Sequence, residues 1–307
     1  MASYQLLQKS GLHLDTAVFL AEASQAAYND QAARTWATAA GFSHTTTFNR
    51  SNIQGFWSTA DDVALLAFRG TSNPGQWIRN AHFFPVRHPW GRVHEGFKDG
   101  VADVETDLRG FDEVAGKAKY LWITGHSLGG ALALITAARW KMAGIPSSLY
   151  TYGQPMVGLE GFADRFAIEL PGRLVRFVNQ SDIVPRVPPG FSHTGMLKRI
   201  VRPGVLEAVP ALEAVAAVQT PELAAAVRTA TTLTLESVEA VVQSGISEPL
   251  MIDSELAPLT AKQFLELQAS LDAAELEGAQ LEGMFDLFKD HRISEYIRLL
   301  AQLLDHA

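Results

Sequence analysis

Apolar positions recur along this chain with two different periods, and the switches between them mark out its elements. From Thr16 to Tyr28, the residues Val18, Phe19, Ala23, Ala26 and Ala27 fall at helical spacing with Asp15 placed as N-cap, which predicts an amphipathic helix. Ile53 to Ser58 and Val63 to Phe68 are short aliphatic and aromatic runs separated by Thr59-Ala60-Asp61-Asp62, and predict a pair of strands. Thr71 to Trp90 mixes Pro74, Gly75, Pro85 and Pro89 with the apolar Trp77, Ile78, Phe83 and Phe84, and predicts a loop or short helix with greasy contents. Then come a helix over Phe97 to Val114, a strand over Tyr120 to Thr124 ending at Gly125, a helix from Leu128, and strands at Ser148 to Tyr152 and Leu174 to Asn179. Such alternation predicts an α/β fold with a mostly parallel central sheet.

After Pro203 the composition turns to Ala, Val, Leu and Glu, and Leu206, Val209, Leu212 and Val215 keep helical spacing up to about Val242. This predicts a helical insertion, spanning about 204–283. Ala274 to Gly283 reads AELEGAQLEG, two copies of a five-residue unit, too few to stack as a solenoid, so a helix or linker is expected there. One α/β domain over residues 1–307, interrupted by that insertion, accommodates the whole length.

With 47% hydrophobic and 19% charged residues the chain can bury a large core. Its net charge of -8 and scattered Lys and Arg argue against nucleic acid as a partner. The absence of cysteine excludes disulfides, a thiol nucleophile and a cysteine-ligated metal, and leaves the compartment open. The first thirty residues lack the basic start and apolar block of a secretory signal, and no run reaches the roughly 18 apolar residues of a membrane span. A cytoplasmic location, or secretion by a route not legible in sequence, is expected, with any contact to a lipid surface peripheral.

GHSLGG at 125–130 carries the sharpest chemistry: a Gly-x-Ser-x-Gly that follows the strand-like LWIT and precedes the helix-forming ALALITAARWKM. In a nucleophile elbow of this kind the serine occupies a strained turn between strand and helix, and the flanking glycines avoid clashes with neighbouring backbone. Small residues Gly130, Ala131 and Ala133 let the helix approach closely, its N–H groups aimed at developing negative charge. A serine hydroxyl is a weak nucleophile, so Ser127 needs a histidine base, and the histidine needs a carboxylate. Asp182 in FVNQSDIVPRVPP stands just after a strand, at a carboxyl end where sheet enzymes gather their sites. Beyond it lie His193 in GFSHTG, His291 in FKDHRISEYI, and His306 at the terminus. Local sequence does not choose between His193 and His291.

Taken together, AFRGTS at 67–72, GRVHEGF at 91–97, GHSLGG, YTYGQPMVG at 150–158, VNQSDIVPRVPP at 178–189 and DHRISEYI at 290–297 closely resemble the class 3, or fungal-type, lipase family, in that family's order. The resemblance covers about residues 15–200 and 285–300. It implies an α/β-hydrolase fold, a triad of Ser127, Asp182 and His291, and an oxyanion hole from Thr71 and Leu128. His193 then has a structural role. The resemblance also implies a mobile lid over Ser72 to Trp90, making Trp77, Ile78, Phe83 and Phe84 candidates for lid or acyl contact. The implied activity is carboxylic ester hydrolysis, triacylglycerol first, through an acyl-enzyme and with no cofactor or metal. The alternatives are a small-ester esterase, a phospholipase A1, or a catalytically silent lipid-binding protein. Two departures stand out: the disulfides of secreted fungal members cannot form here, and about sixty extra residues separate the Asp and His segments.

Overall fold

A computed structural model describes residues 2–9, 11–80, 83–179, 182–200, 251–252, 257–276 and 288–305. Its centre is an eight-stranded sheet built from β1 (His44–Arg50), β2 (Ile53–Ala60), β3 (Val63–Phe68), β6 (Tyr120–His126), β7 (Ser148–Tyr152), β8 (Leu174–Asn179), β9 (Met196–Ile200) and β10 (Met251–Ile252), in that spatial order. β3, β6, β7, β8 and β9 run parallel, whereas β1, β2 and β10 join antiparallel at the edges. A separate hairpin pairs β4 (Pro85–His88) with β5 (Gly91–His94).

Parallel strands need helical crossovers, so both faces of the sheet are covered and its central strands are buried along almost their whole length. β3 shows the consequence: all six residues are buried, Val63, Leu65 and Ala67 in one layer and Ala64, Leu66 and Phe68 in the other. The second of these layers is closed by α4 (Glu95–Asp103), α5 (Glu105–Ala115), α6 (Leu128–Met142) and α7 (Glu160–Glu169). The first is closed by α1 (Leu14–Ala26), α2 (Asp30–Ala39) and the last helix, which we number α9 (Ile293–Asp305). α9 buries Tyr296, Leu299, Leu300 and Leu303 at helical spacing and packs directly along α1.

Several local expectations shift. α1 begins at Leu14 with His13 at the cap; Asp15 lies inside the first turn, where its carboxylate pairs with Lys9 and accepts from the Thr16 N–H, so it is not the N-cap. The helix expected over Phe97 to Val114 is two, broken at the fully buried Val104 so that both short helices can lay apolar faces on the sheet. The strands around Thr59 run on to Ala60, leaving a two-residue turn with Asp61 at φ 49°. β1 offered little signal because Phe48 is its one buried side chain, as suits an edge strand.

The expected helical run from Leu206 to Val242 lies outside the described residues, as do residues 277–283 of the AELEG stretch. Of the insertion, the structure describes β10 and a helix, α8 (Ala261–Leu276), which docks on the short α3 (Pro74–Asn80).

Candidate active site

Ser127 is a single residue between the end of β6 and the start of α6, with φ 57° and ψ −128°. A side chain in this sparsely allowed region costs about 1–3 kcal/mol and persists only where the surroundings dictate it. Here they do. The Ser127 N–H donates to the Tyr152 carbonyl at 2.9 Å, and the Gly130 N–H closes onto the Ser127 carbonyl at 2.9 Å. The turn is too tight for flanking side chains: a Cβ on Gly125 would lie 2.3 Å from Gly129, and one on Gly129 would lie 2.4 Å from the Phe68 carbonyl oxygen.

Asp182 follows β8 at the carboxyl end of the sheet and is fully buried. Its carboxylate accepts from His291 Nδ1 at 2.8 and 2.9 Å, from the Tyr296 hydroxyl at 2.6 Å and from the Val184 N–H at 3.0 Å. Burial alone would raise its pKa, but the adjoining His291, Tyr296 and Val184 N–H overcome that and hold it below the ordinary carboxylate value. With Nδ1–H committed to Asp182, His291 presents Nε2 as its basic nitrogen. His291 Nε2 and Ser127 Oγ are both buried and without a hydrogen-bond partner among the described residues. They lie in one neighbourhood, since His126, next to the serine, packs its ring 4.6 Å from that of His291. A cavity of about 540 Å³ opens beside them, lined by Tyr28, Thr71, Asn73, His126, Phe288 and His291 among others. Thr71 and His291, named from the sequence as oxyanion donor and base, thus face the same space.

Residues 65–192, which span the strand before Thr71 through the elbow to the loop after Asp182, match the family described as Lipase (class 3). The lipase of Rhizomucor miehei is 40% identical over 151 residues, covering 44% of this chain and 41% of its own. The solved triacylglyceride lipase of Rhizomucor miehei superposes with a TM-score of 0.56 at 27% identity, over 62% of this chain and 80% of that one. Over residues 65–192 the chain is similar to class 3 lipases. Its fold is that of an α/β-hydrolase. Also similar are a secreted mono- and diacylglycerol lipase of Fusarium solani, 35% identical over 42% of this chain and 41% of its own, and a phospholipase A1 of Oryza sativa, 29% identical over 48% of each. The chain spans less than half the length of these curated relatives.

The structure brings His291, not His193, to Asp182. His193 donates from Nε2 to the Pro185 carbonyl at 2.7 Å, tying its loop to the turn after Asp182, and burial beside Arg176 keeps its pKa well below the ordinary histidine value. Leu128 opens α6, so its backbone N–H belongs to the first turn, which has no intrahelical acceptor. The Thr71 hydroxyl accepts from the Asn73 N–H at 3.3 Å and so shapes the entry to α3. The four apolar candidates divide: Ile78 is fully buried, Trp77 stacks on Phe97, and Phe83 meets His94 and Phe264 edge-on or tilted, whereas Phe84 is 61% exposed.

Four participants were not singled out from sequence. Tyr296 stands five residues past His291, on the first turns of α9; besides donating to Asp182 it accepts from the Asn179 N–H at 3.0 Å. Gly153, at φ +60°, lies so close that a Cβ would be 2.7 Å from Asp182 Oδ2 and 2.9 Å from His291 Nδ1. His126 and Tyr28 are joined at 2.9 Å and reach the backbone of His291. The positive-φ demand after β7 had a legible signal, the Gly in YTYGQP; the others depend on pairings between distant segments.

Proposed function

We propose that this chain is a serine carboxylic ester hydrolase acting on lipid acyl esters, with triacylglycerol as the leading substrate. The observation that carries this reading is the buried Asp182–His291 pair placed beside a serine on a strained strand-to-helix turn. His291 Nε2 takes the Ser127 proton as Oγ attacks the ester carbonyl, and Asp182 stabilises the resulting imidazolium. The N–H groups of Leu128 and Thr71 receive the oxyanion, a term worth about 2.7–4 kcal/mol per donor in such sites. As the tetrahedral intermediate collapses, the imidazolium gives its proton to the departing alcohol. Water, deprotonated in turn by His291, then hydrolyses the acyl-enzyme and regenerates Ser127. None of these steps calls for a cofactor or metal.

Trp77, Ile78 and Phe83 on and beside α3 supply the apolar cover of a lid. Substrate would be met at a lipid surface by peripheral contact; no helix among the described residues is long and apolar enough to cross a membrane. We read the chain as one α/β-hydrolase domain carrying the insertion between its Asp and His segments. The likeness to a phospholipase A1 keeps that activity as the second reading on the same machinery.

The test is a rate series on p-nitrophenyl esters of increasing chain length, triacylglycerol emulsions and phosphatidylcholine vesicles, run on wild type beside Ser127→Ala. Release of fatty acid from triacylglycerol, lost in Ser127→Ala, is expected. Faster release from phosphatidylcholine would move the reading to phospholipase A1, and no hydrolysis of any ester by wild type would overturn it in favour of a silent lipid binder.

A further inference from the structure

His126 makes two hydrogen bonds, and their geometry leaves one arrangement of protons. Its Nε2 lies 2.5 Å from the His291 carbonyl oxygen, which can only accept, so Nε2 carries the proton. Its Nδ1 is then an acceptor and receives the Tyr28 hydroxyl at 2.9 Å. Burial first, and then the neighbouring His291, push the His126 pKa down to about 3, so this neutral form holds through the working range of a hydrolase. Tyr28 in turn sits against Gly70, where a Cβ would come 2.5 Å from its hydroxyl, one residue before Thr71. One chain of contacts therefore runs from the oxyanion side of the site to the backbone of the base.

We propose that His126 is a positioning residue, which together with Tyr28 fixes the main chain of His291 relative to Ser127 and Thr71. It acts by holding the base in place, and a misplacement of about 1 Å can cost roughly 100-fold in rate. The proposal rests on the triad reading, and wild type that hydrolyses no ester sinks that reading rather than this one. Given active wild type, His126→Phe, which keeps a ring but removes both nitrogens, is expected to lower kcat roughly 100-fold with KM within about twofold, and to move the acid limb of the kcat/KM profile. His126→Gln, which keeps a donor near Nε2, should recover at least about tenfold of that loss. Combining Tyr28→Phe with His126→Phe should cost no more than His126→Phe alone, because the pair acts as one unit. Equal losses in the Phe and Gln variants with an unmoved acid limb, or losses of Tyr28→Phe and His126→Phe that simply add, would overturn it.

A separate observation concerns the insertion. α8 lies across α3 and the turn after Asp182: Ile78, Ile183, Val184 and Val187 form one buried cluster with Leu259, Phe264, Leu267 and Leu271. Gln268 Nε2 donates to the Ile78 and Arg79 carbonyls at 3.1 and 3.2 Å, satisfying acceptors that the end of a helix otherwise leaves open. Phe264 meets Phe83 with ring centroids 5.0 Å apart. The base of α8 is pinned to the body, Leu259 N–H to the Arg186 carbonyl at 2.9 Å and Arg186 Nε to the Ala257 carbonyl at 3.0 Å. The Arg79–Asp272 pair at 3.8 Å is too exposed at Asp272 to add much.

We infer that α8 is a clamp that holds α3 closed over the site, so that opening requires parting two helices rather than lifting one. On this arrangement, which also rests on the hydrolase reading, Phe264→Ser/Gln268→Ala should raise the rate on tributyrin below its solubility limit about tenfold and flatten the jump seen on crossing that limit. Gln268→Ala alone, which leaves the apolar cluster intact, should do the same in smaller measure. Thermal melting reports whether each variant is folded. A folded variant of either kind with the wild-type curve, or with a lower rate below the limit, overturns the clamp, while wild type inactive on every ester sinks the hydrolase reading instead.

Discussion

Ser127→Ala is expected to lower kcat/KM by roughly 10,000-fold or more, and His291→Ala by a similar factor, because nucleophile and base act as one unit and the residual rate comes from binding and the oxyanion hole alone. A fluorophosphonate probe should label wild type once, at Ser127, and label neither variant at an appreciable rate. His193→Ala is the informative control. His193 is bonded to the Pro185 carbonyl, not to Asp182, so its loss should reduce stability through an unpaired carbonyl, by about 1–3 kcal/mol, while leaving kcat within severalfold of wild type. Steady-state rates and mass spectrometry of the labelled protein decide the matter. A dead His193→Ala beside an active His291→Ala would reverse the assignment of the base.

The second large effect is expected at a residue with no functional group. Gly153 stands at φ +60° with its Cα against the Asp182–His291 pair, so any side chain must displace the carboxylate or the imidazole. Gly153→Val adds a branched side chain in a backbone region such residues avoid, and should lose roughly 100-fold or more in kcat. Gly153→Ala, with one carbon 2.7 Å from Asp182 Oδ2, should show the same defect in milder form. Gly144→Ala separates the causes, since Gly144 has a comparable φ of +81° but nothing within 4 Å of its added Cβ. It should lose stability and keep its rate. Wild-type kcat in a folded Gly153→Ala would mean that the pair tolerates displacement, and the close packing would then be structural only.

Features that depend on neighbours along the chain are legible from the residues alone. The Gly-x-Ser-x-Gly turn is legible because a strand, a positive-φ serine and a close-packed helix must follow one another within ten residues, and each imposes its own residue types. The central strands are legible for the same reason: burial on both faces makes Val63 to Phe68 apolar without interruption and leaves Leu174 to Asn179 apolar except at Arg176 and Asn179. β1 and the break at Val104 are not, because an edge strand needs one buried side chain and a helix break needs only a better fit to the core. Asp182 was readable as a carboxylate at a strand end, but local sequence left His193 and His291 equal. The family resemblance implied His291, and the tertiary structure brings that residue to the carboxylate: α9 packs along α1 and holds His291, two residues before its start, against Asp182 109 residues earlier, while Tyr296 on α9 donates to Oδ2 of the same carboxylate. The same holds for His126 and for Gln268 on α8: each bond joins groups that no local period relates, and becomes visible only when sheet order and helix docking bring distant segments within 3 Å or so of one another.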